Sequence, residues 1–525
     1  MIQQHSFAKA VTWAYTLNLG DRIFSALFLL LLASLLGPRD FGIVSIAIVY
    51  VTFLQLFLDQ GFAAAIVQRQ NLEPEHLDSV FLVNLLLSLG LVAISLLFGR
   101  AWAAINGAPK IAIVSAVLSL SLVMQAMTLV PVALLTRQMN FRSLSIRTNV
   151  STIVGGVVGI LVAWAGFGVW SLVCQRLLAD FISLVLVWKM SAWRPSFKFS
   201  WRHIRELMGF SLGNFLMQLA LFADLQAGSV VLGALFGPAA VGLYRAADRI
   251  MSSVVAMAVS SIQHVSLPQF SRFQEQPQEL RNSVRTCIQI SAWISLPALA
   301  GVIAVSQSLM DTIGPNWASA TDALRVLCVF GMVIVLNSFT VPLMQARGKT
   351  HQVAILEWAR TLIGLLLVAI TGLLVRDGSI EMQVTSIAVA RLLVMGVLVT
   401  PVFLYLLLKL AGLSIGDFVI LIGPSVLASI GVVASVGLFR QVGPVASKPL
   451  VQMIGEIFTG GATGLVVLFS ADAQLRMIVR RLFGSRRTKM RRHLVRCPRG
   501  LGPGMRCYWR NGLLREGSNR NSSLR

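Results

Sequence analysis

Seven arginines fall inside stretches that otherwise carry mostly apolar side chains: Arg22, Arg176, Arg245, Arg249, Arg325, Arg360 and Arg391. A guanidinium stays charged when buried and presents a planar fork that grips phosphate-type oxygens two at a time. Holding that charge at the middle of a bilayer costs at least about 2.5–3.5 kcal/mol, so each must face a cavity or an acid. Local acids answer part of the demand. Asp180 stands four residues from Arg176, Glu357 three from Arg360 and Asp248 three from Arg245, spacings that share a helical face. For Arg176 and Arg360 this points to neutralisation. Arg245 and Arg249 lie one turn apart around the single acid Asp248, which leaves a positive excess, and Arg391 has no acid three or four residues away. Tyr15, Asn18, Arg22 and Ser25 recur at helical spacing and draw a polar stripe that should line water and not lipid. The cavity candidates are therefore Arg22, Arg249, Arg245, Arg391, Asn18 and Tyr15. Asp21, Asp248 and Asp224 are candidates for binding a coupling proton or sodium ion; Asp59, near a turn, and Glu456 are weaker ones.

No nucleophile, metal or cofactor pattern competes with this reading. The five cysteines form no CxxC pair, the six histidines show no ligand spacing, and no acidic DxD triplet occurs. No catalytic residue, cofactor or metal is expected.

The elements that must position these charges are membrane helices. The 525 residues are 56% hydrophobic and 12% charged, half the charge of an ordinary soluble chain. Apolar runs long enough to cross a bilayer fall near 11–36, 41–67, 79–99, 110–135, 149–166 and 169–189, then 208–236, 239–265, 286–309, 321–346, 353–375 and 381–408, with two more near 417–438 and 450–471. This is an all-α polytopic membrane protein of about fourteen helices. Its expected division is a first lobe over 1–190, a basic cytoplasmic linker over 191–207, a second lobe over 208–410, a helix pair over 411–472 and a basic cytoplasmic tail over 473–525 that is expected to be disordered.

The net charge of +23 does not call for nucleic acid. The tail holds fifteen Lys or Arg against the single acid Glu516, and the remainder sits in short loops. With the N-terminus inside, sixteen basic residues fall in inner loops and six in outer ones, which orients both termini toward the cytoplasm.

The two lobes echo each other. Leu36-Gly37-Pro38 with Gly42-Ile43 recurs 200 residues later as Phe236-Gly237-Pro238 with Gly242-Leu243, at the turn between the first and second helix of each half. Six is even, so both halves enter from the same side and the repeat is parallel, as in transporters with a cleft between lobes.

Ordered landmarks over about residues 10–410 resemble the polysaccharide transporter family, the oligosaccharide-flippase branch of the multidrug/oligosaccharidyl-lipid/polysaccharide superfamily. They are Leu36-Gly37-Pro38-Arg39-Asp40-Phe41-Gly42; Gln55-Leu56 with Asp59, Gly61, Gln68-Arg69, His76, Phe81 and Asn84; Gly168 with Trp170-Ser171-Leu172; and Gly314-Pro315-Asn316-Trp317. Arg137 with Phe141-Arg142, Trp193-Arg194-Pro195 and Gln345-Ala346-Arg347-Gly348 add to them, and the pattern is most similar to succinoglycan and colanic-acid type exporters. One departure is Ser229, where many relatives carry an Asp eight residues before the equivalent of Gly237. The resemblance implies a fold like that of the multidrug and toxic-compound extruders. It implies a polyprenyl-pyrophosphate-linked oligosaccharide as substrate, for exopolysaccharide, capsule or O-antigen synthesis in the bacterial inner membrane, with lipid, a polymerase and a chain-length regulator as partners. An Arg-lined cleft suits that pyrophosphate. The alternatives are an ion-coupled exporter of toxic compounds on the same fold, or a polysaccharide polymerase, which the short outer loops disfavour.

Overall fold

The computed structural model describes residues 20, 24–58, 61–69, 71–208, 211–442, 449–472 and 475–476. Tyr15, Asn18, Asp21, Arg22 and Asp59 lie outside the described residues, as does nearly all of the tail. The chain up to Ala471 is one compact unit, and a second unit begins at Asp472.

Among the described residues there is no strand. A backbone in hydrocarbon must satisfy its own polar groups, and an uninterrupted apolar run does so as a helix. Among the described residues there are fourteen longer helices, besides the short Phe62–Gln68 and Trp201–Met208. The first two are α1 (Phe24–Leu35) and α2 (Pro38–Gln55). Twelve more are long and apolar enough to cross a membrane: α3 (Pro74–Ile105), α4 (Lys110–Arg137), α5 (Phe141–Trp164), α6 (Val169–Met190), α7 (Phe215–Phe236), α8 (Pro238–Arg272), α9 (Pro277–Ile313), α10 (Pro315–Ala346), α11 (Thr350–Leu374), α12 (Ile380–Ala411), α13 (Ile415–Val442) and α14 (Pro449–Ala471).

Several helices run longer than the sequence reading had them, and two boundaries change the reading. The run expected to continue to residue 67 stops at Gln55; Gly61 takes a left-handed conformation (φ 81°) and a separate short helix, Phe62–Gln68, follows. Apolarity alone could not show this break. At the other boundary α5 starts at Phe141, capped by the Asn140 side chain accepting from the Ser143 amide at 3.2 Å. Arg147, counted as a loop residue, therefore belongs to a membrane helix.

The linker is pinned to the first half. The Asp78 carboxylate of α3 accepts from the Ser196 amide at 3.2 Å and from its hydroxyl, and the Ser79 hydroxyl accepts from the Ser200 amide at 2.9 Å. Nearby, Glu73, His76 and His203 form a small cluster at the start of α3. His76 Nδ1 accepts from the Glu73 amide at 3.3 Å and His203 Nε2 lies 3.2 Å from the Glu73 carboxylate, which is the geometry of a helix cap.

The repeated Gly-Pro motif is where the halves meet. Pro38 and Pro238 each open a helix after a glycine, a position that needs no amide hydrogen. Four residues on, Gly42 of α2 and Gly242 of α8 face each other across a pseudo-twofold axis. A Cβ on Gly42 would collide with the Pro238 carbonyl, and one on Gly242 with the Pro38 carbonyl. Glycine is required because the two backbones touch. Beside this contact, the buried Trp317 Nε1–H donates to the Ala33 carbonyl of α1 at 2.9 Å, and its ring meets Phe41 edge-on at 5.7 Å. Asn106 fits against Gly233 of α7 on the other side. The halves are thus closed against each other at the Gly-Pro end.

The last pair, α13 and α14, packs on α9. Arg440 ion-pairs with the fully buried Glu456 at 2.7 Å and donates to the Ala304 carbonyl at 2.7 Å. Arg440, expected in an outer loop, is in the last turn of α13, and Glu456 is consumed by this structural pair.

Candidate binding cleft between the two halves

Next to the closed Gly-Pro end lies a cavity of about 450 Å³ between the halves. The first half contributes α1, α2, α5 and α6, the second α7 and α8. Leu29, Phe41, Ile48 and Leu172 make an apolar wall, while Arg176, Gln175, Gln226, Arg245, Asp248, Arg249 and Ser252 turn polar groups inward.

The charges are shared unequally. Arg245 donates to the Gln226 side-chain oxygen, and its Nη1 is 3.9 Å from Asp248. Asp248 in turn lies 3.4 Å from Arg391 of α12. Arg176 pairs with Asp180 at 3.0 Å, as its spacing suggested. Arg249 is exposed to the cleft and has no acid within ion-pair distance among the described residues. The sequence reading had one acid serving Arg245 and Arg249; the structure has it serving Arg245 and Arg391. Residues 248 and 249 point about 100° apart on a helix, so Asp248 cannot turn to its neighbour.

Arg391, which lacked an acid on its own helix, finds one on another. It is 8% exposed, donates to the Tyr244 hydroxyl, and stacks 4.7 Å from the centre of the Phe330 ring. It lines not the cleft but a second cavity of about 450 Å³, lined by α7, α8, α10, α11 and α12 in the second half. There Arg360 bridges Asp224 at 3.1 Å and Glu357 at 2.8 Å. Arg325 pairs with Asp322 at 2.7 Å and donates to Ser306, away from both cavities.

The structure thus brings Arg245, Asp248 and Arg249 together at the cleft, and places Asp224 and Arg391 in the second cavity. Ser229 is buried on α7. Sequence reasoning missed Gln175, Gln226 and Tyr244. Tyr244 stands four residues before Asp248 on the same face, a signal that was present; the two glutamines carried none beyond being polar in an apolar run.

Chemically, the cleft offers a guanidinium excess beside an apolar wall. That suits a ligand with a compact anionic head and a hydrocarbon body.

Comparison with known proteins agrees with this architecture. The chain is 29% identical over 329 residues to the succinoglycan biosynthesis transport protein ExoT of Rhizobium meliloti (strain 1021), covering 62% of this chain and 66% of that protein. It is 22% identical over 326 residues to the lipopolysaccharide biosynthesis protein WzxC of Escherichia coli (strain K12), covering 61% and 65%. The matches thus span just under two thirds of each relative's length. Among solved structures, the lipid II flippase MurJ in an inward closed conformation superposes with a TM-score of 0.67 at 14% identity, over 90% of this chain and 99% of that one. An inward-facing multidrug resistance MATE transporter gives 0.59 at 17% identity, over 76% and 96%. These two likenesses are of fold. The family described as polysaccharide biosynthesis protein matches residues 31–322, more than half of the chain, and the protein belongs to that family.

Proposed function

We propose that this protein is a flippase that moves polyprenyl-pyrophosphate-linked oligosaccharide units across the bacterial inner membrane, supplying exopolysaccharide, capsule or O-antigen assembly. The observation that carries the reading is the cleft between the halves. Arg245 and Arg249 face it with only part of one carboxylate between them, beside an apolar wall. Guanidinium forks there would hold the pyrophosphate oxygens, and the apolar wall would take the first isoprene units.

Transport follows from the pseudo-symmetry. The halves touch at the Gly-Pro end through the Gly42–Gly242 backbones and a few side chains around Trp317, so a small rotation about the cleft can separate them there and close them at the other end. Both termini face the cytoplasm in this reading, by the sixteen-to-six excess of inner basic residues. Arg22, Asn18 and Tyr15 would join the cleft from the first helix. A polymerase and a chain-length regulator would receive the product.

An ion-coupled exporter on the same fold is the second reading, favoured by the two carboxylates, Asp224 and Glu357, in the second cavity. Deletion of the gene separates the two. The flippase predicts loss of a surface or secreted polysaccharide, with the lipid-linked unit retained on the cytoplasmic leaflet. Unchanged polysaccharide with new drug sensitivity identifies the exporter, and unit-length precursor on the outer leaflet identifies a polymerase.

A further inference from the structure

We infer that Arg391 sets the charge of the cleft without touching what binds there, by holding Asp248 away from Arg245. This rests on the reading of the cleft as a pyrophosphate-lipid site.

Arg391 and Asp248 belong to different helices and different cavities. Tyr244 and Asp248 are one turn apart on α8 and present both their oxygens to one nitrogen, Arg391 Nη1. Arg391 is buried, and the Phe330 face lies beneath its guanidinium. The helix that carries it changes to π geometry three residues later, over Val394–Val399, a distortion that helices keep mostly where a side chain must be aimed.

The consequence is a division of one carboxylate. Asp248 Oδ1 faces Arg391 at 3.4 Å, while Oδ2 reaches Arg245 Nη1 only at 3.9 Å, the outer limit of an ion pair. Arg245 completes its coordination on the neutral Gln226. Were Arg391 absent, the one cation left within ion-pair distance of Asp248 among the described residues would be Arg245, three residues away on its own helical face. It would swing to that partner and neutralise it, and the cleft would lose one of its positive charges. Arg391 is therefore a positioning residue: its charge in the second cavity keeps Arg245 available in the first.

The test is a binding cycle on the full-length protein in lipid nanodiscs, with undecaprenyl pyrophosphate as the probe. Arg391→Gln should weaken binding about tenfold, the scale of one lost charge–charge contact. Adding Asp248→Asn removes the acid that would neutralise Arg245, and should restore affinity close to that of the unaltered protein. Tyr244→Phe, which takes away only one anchor of Arg391 and preserves the fold, should weaken binding by a smaller factor in the same direction. Thermal unfolding of each variant separates misfolding from binding. A merely structural Arg391 predicts the opposite of rescue, since the double variant loses more buried contacts than the single one. Arg249→Gln serves as the control on the cleft itself. If Arg249→Gln loses binding while Arg391→Gln and Tyr244→Phe both bind normally, or the double variant stays weak, the inference is overturned and the cleft stands. If Arg249→Gln binds normally, the cleft reading falls and the inference with it.

Discussion

The two cavities have the same size, about 450 Å³ each, and use their charges in different ways. In the second half, Arg360 is held between Asp224 and Glu357, and Arg391 is held by Tyr244, Asp248 and Phe330, so every guanidinium is spoken for by the protein. Between the halves, Arg249 has no acid within ion-pair distance among the described residues and Arg245 shares one. Burying a charge is tolerable when a partner travels with it, and an unpaired charge persists only where water or a ligand reaches it. The cavity of the second half therefore has its guanidinium groups met from within the chain, whereas the interlobe cleft leaves Arg249 without an acid among the described residues.

The comparison breaks most sharply at Arg360. Arg360→Gln strands two carboxylates in the second cavity and should cost about 3–5 kcal/mol of stability, seen as loss of protein from the membrane and a lowered unfolding temperature. Adding Asp224→Asn and Glu357→Gln should recover most of it. Equal loss without recovery would mean that Arg360 meets substrate as well.

Next in size is the contact that closes the cleft. Gly42→Ala and Gly242→Ala each drive a methyl group into the opposite Pro carbonyl, and overpacking of this kind costs about 1–3 kcal/mol. That cost falls on one state, so cysteine cross-linking across the Gly-Pro end should drop in both variants. The two glycines are related by the repeat, and a defect in only one of them would deny the pseudo-symmetry.

The smallest change is Arg249→Lys, which keeps the charge and removes the fork. Transport should fall about tenfold, or about 1.4 kcal/mol, with protein level unchanged. Neutralising Asp248 alongside should give no relief, because Asp248 is turned toward Arg391 and not toward Arg249. Full activity of the lysine variant, or relief by the paired change, would make the cleft no different from the second cavity.

Much of this could be read from residue order, and the reasons for what could not are specific. Helical character followed from apolar runs, because a bilayer leaves the backbone no other choice. The Gly-Pro echo was visible as spacing, and its meaning as a backbone-to-backbone contact was not, because a glycine says nothing about who approaches it. Arg176–Asp180 and Arg360–Glu357 were legible as pairs within one helix turn. The break at Gly61 and the extra turns of α5 were not, since a run of apolar residues does not record where its axis bends.

What the sequence determined by itself was the inventory: a membrane chain of two echoing halves and a helix pair, with more guanidinium groups in its spans than local acids to meet them. Tertiary structure decided the assignment. Asp248 is three residues from Arg245 and adjacent to Arg249, yet its charge goes in part to Arg391, 143 residues away on α12. Asp224 meets Arg360 across 136 residues, and Glu456 takes Arg440 across 16. Local spacing can only propose partners on one helix face. In a low-dielectric interior the strongest partner is whichever opposite charge the packing brings within about 4 Å, and that is a property of how the helices cross.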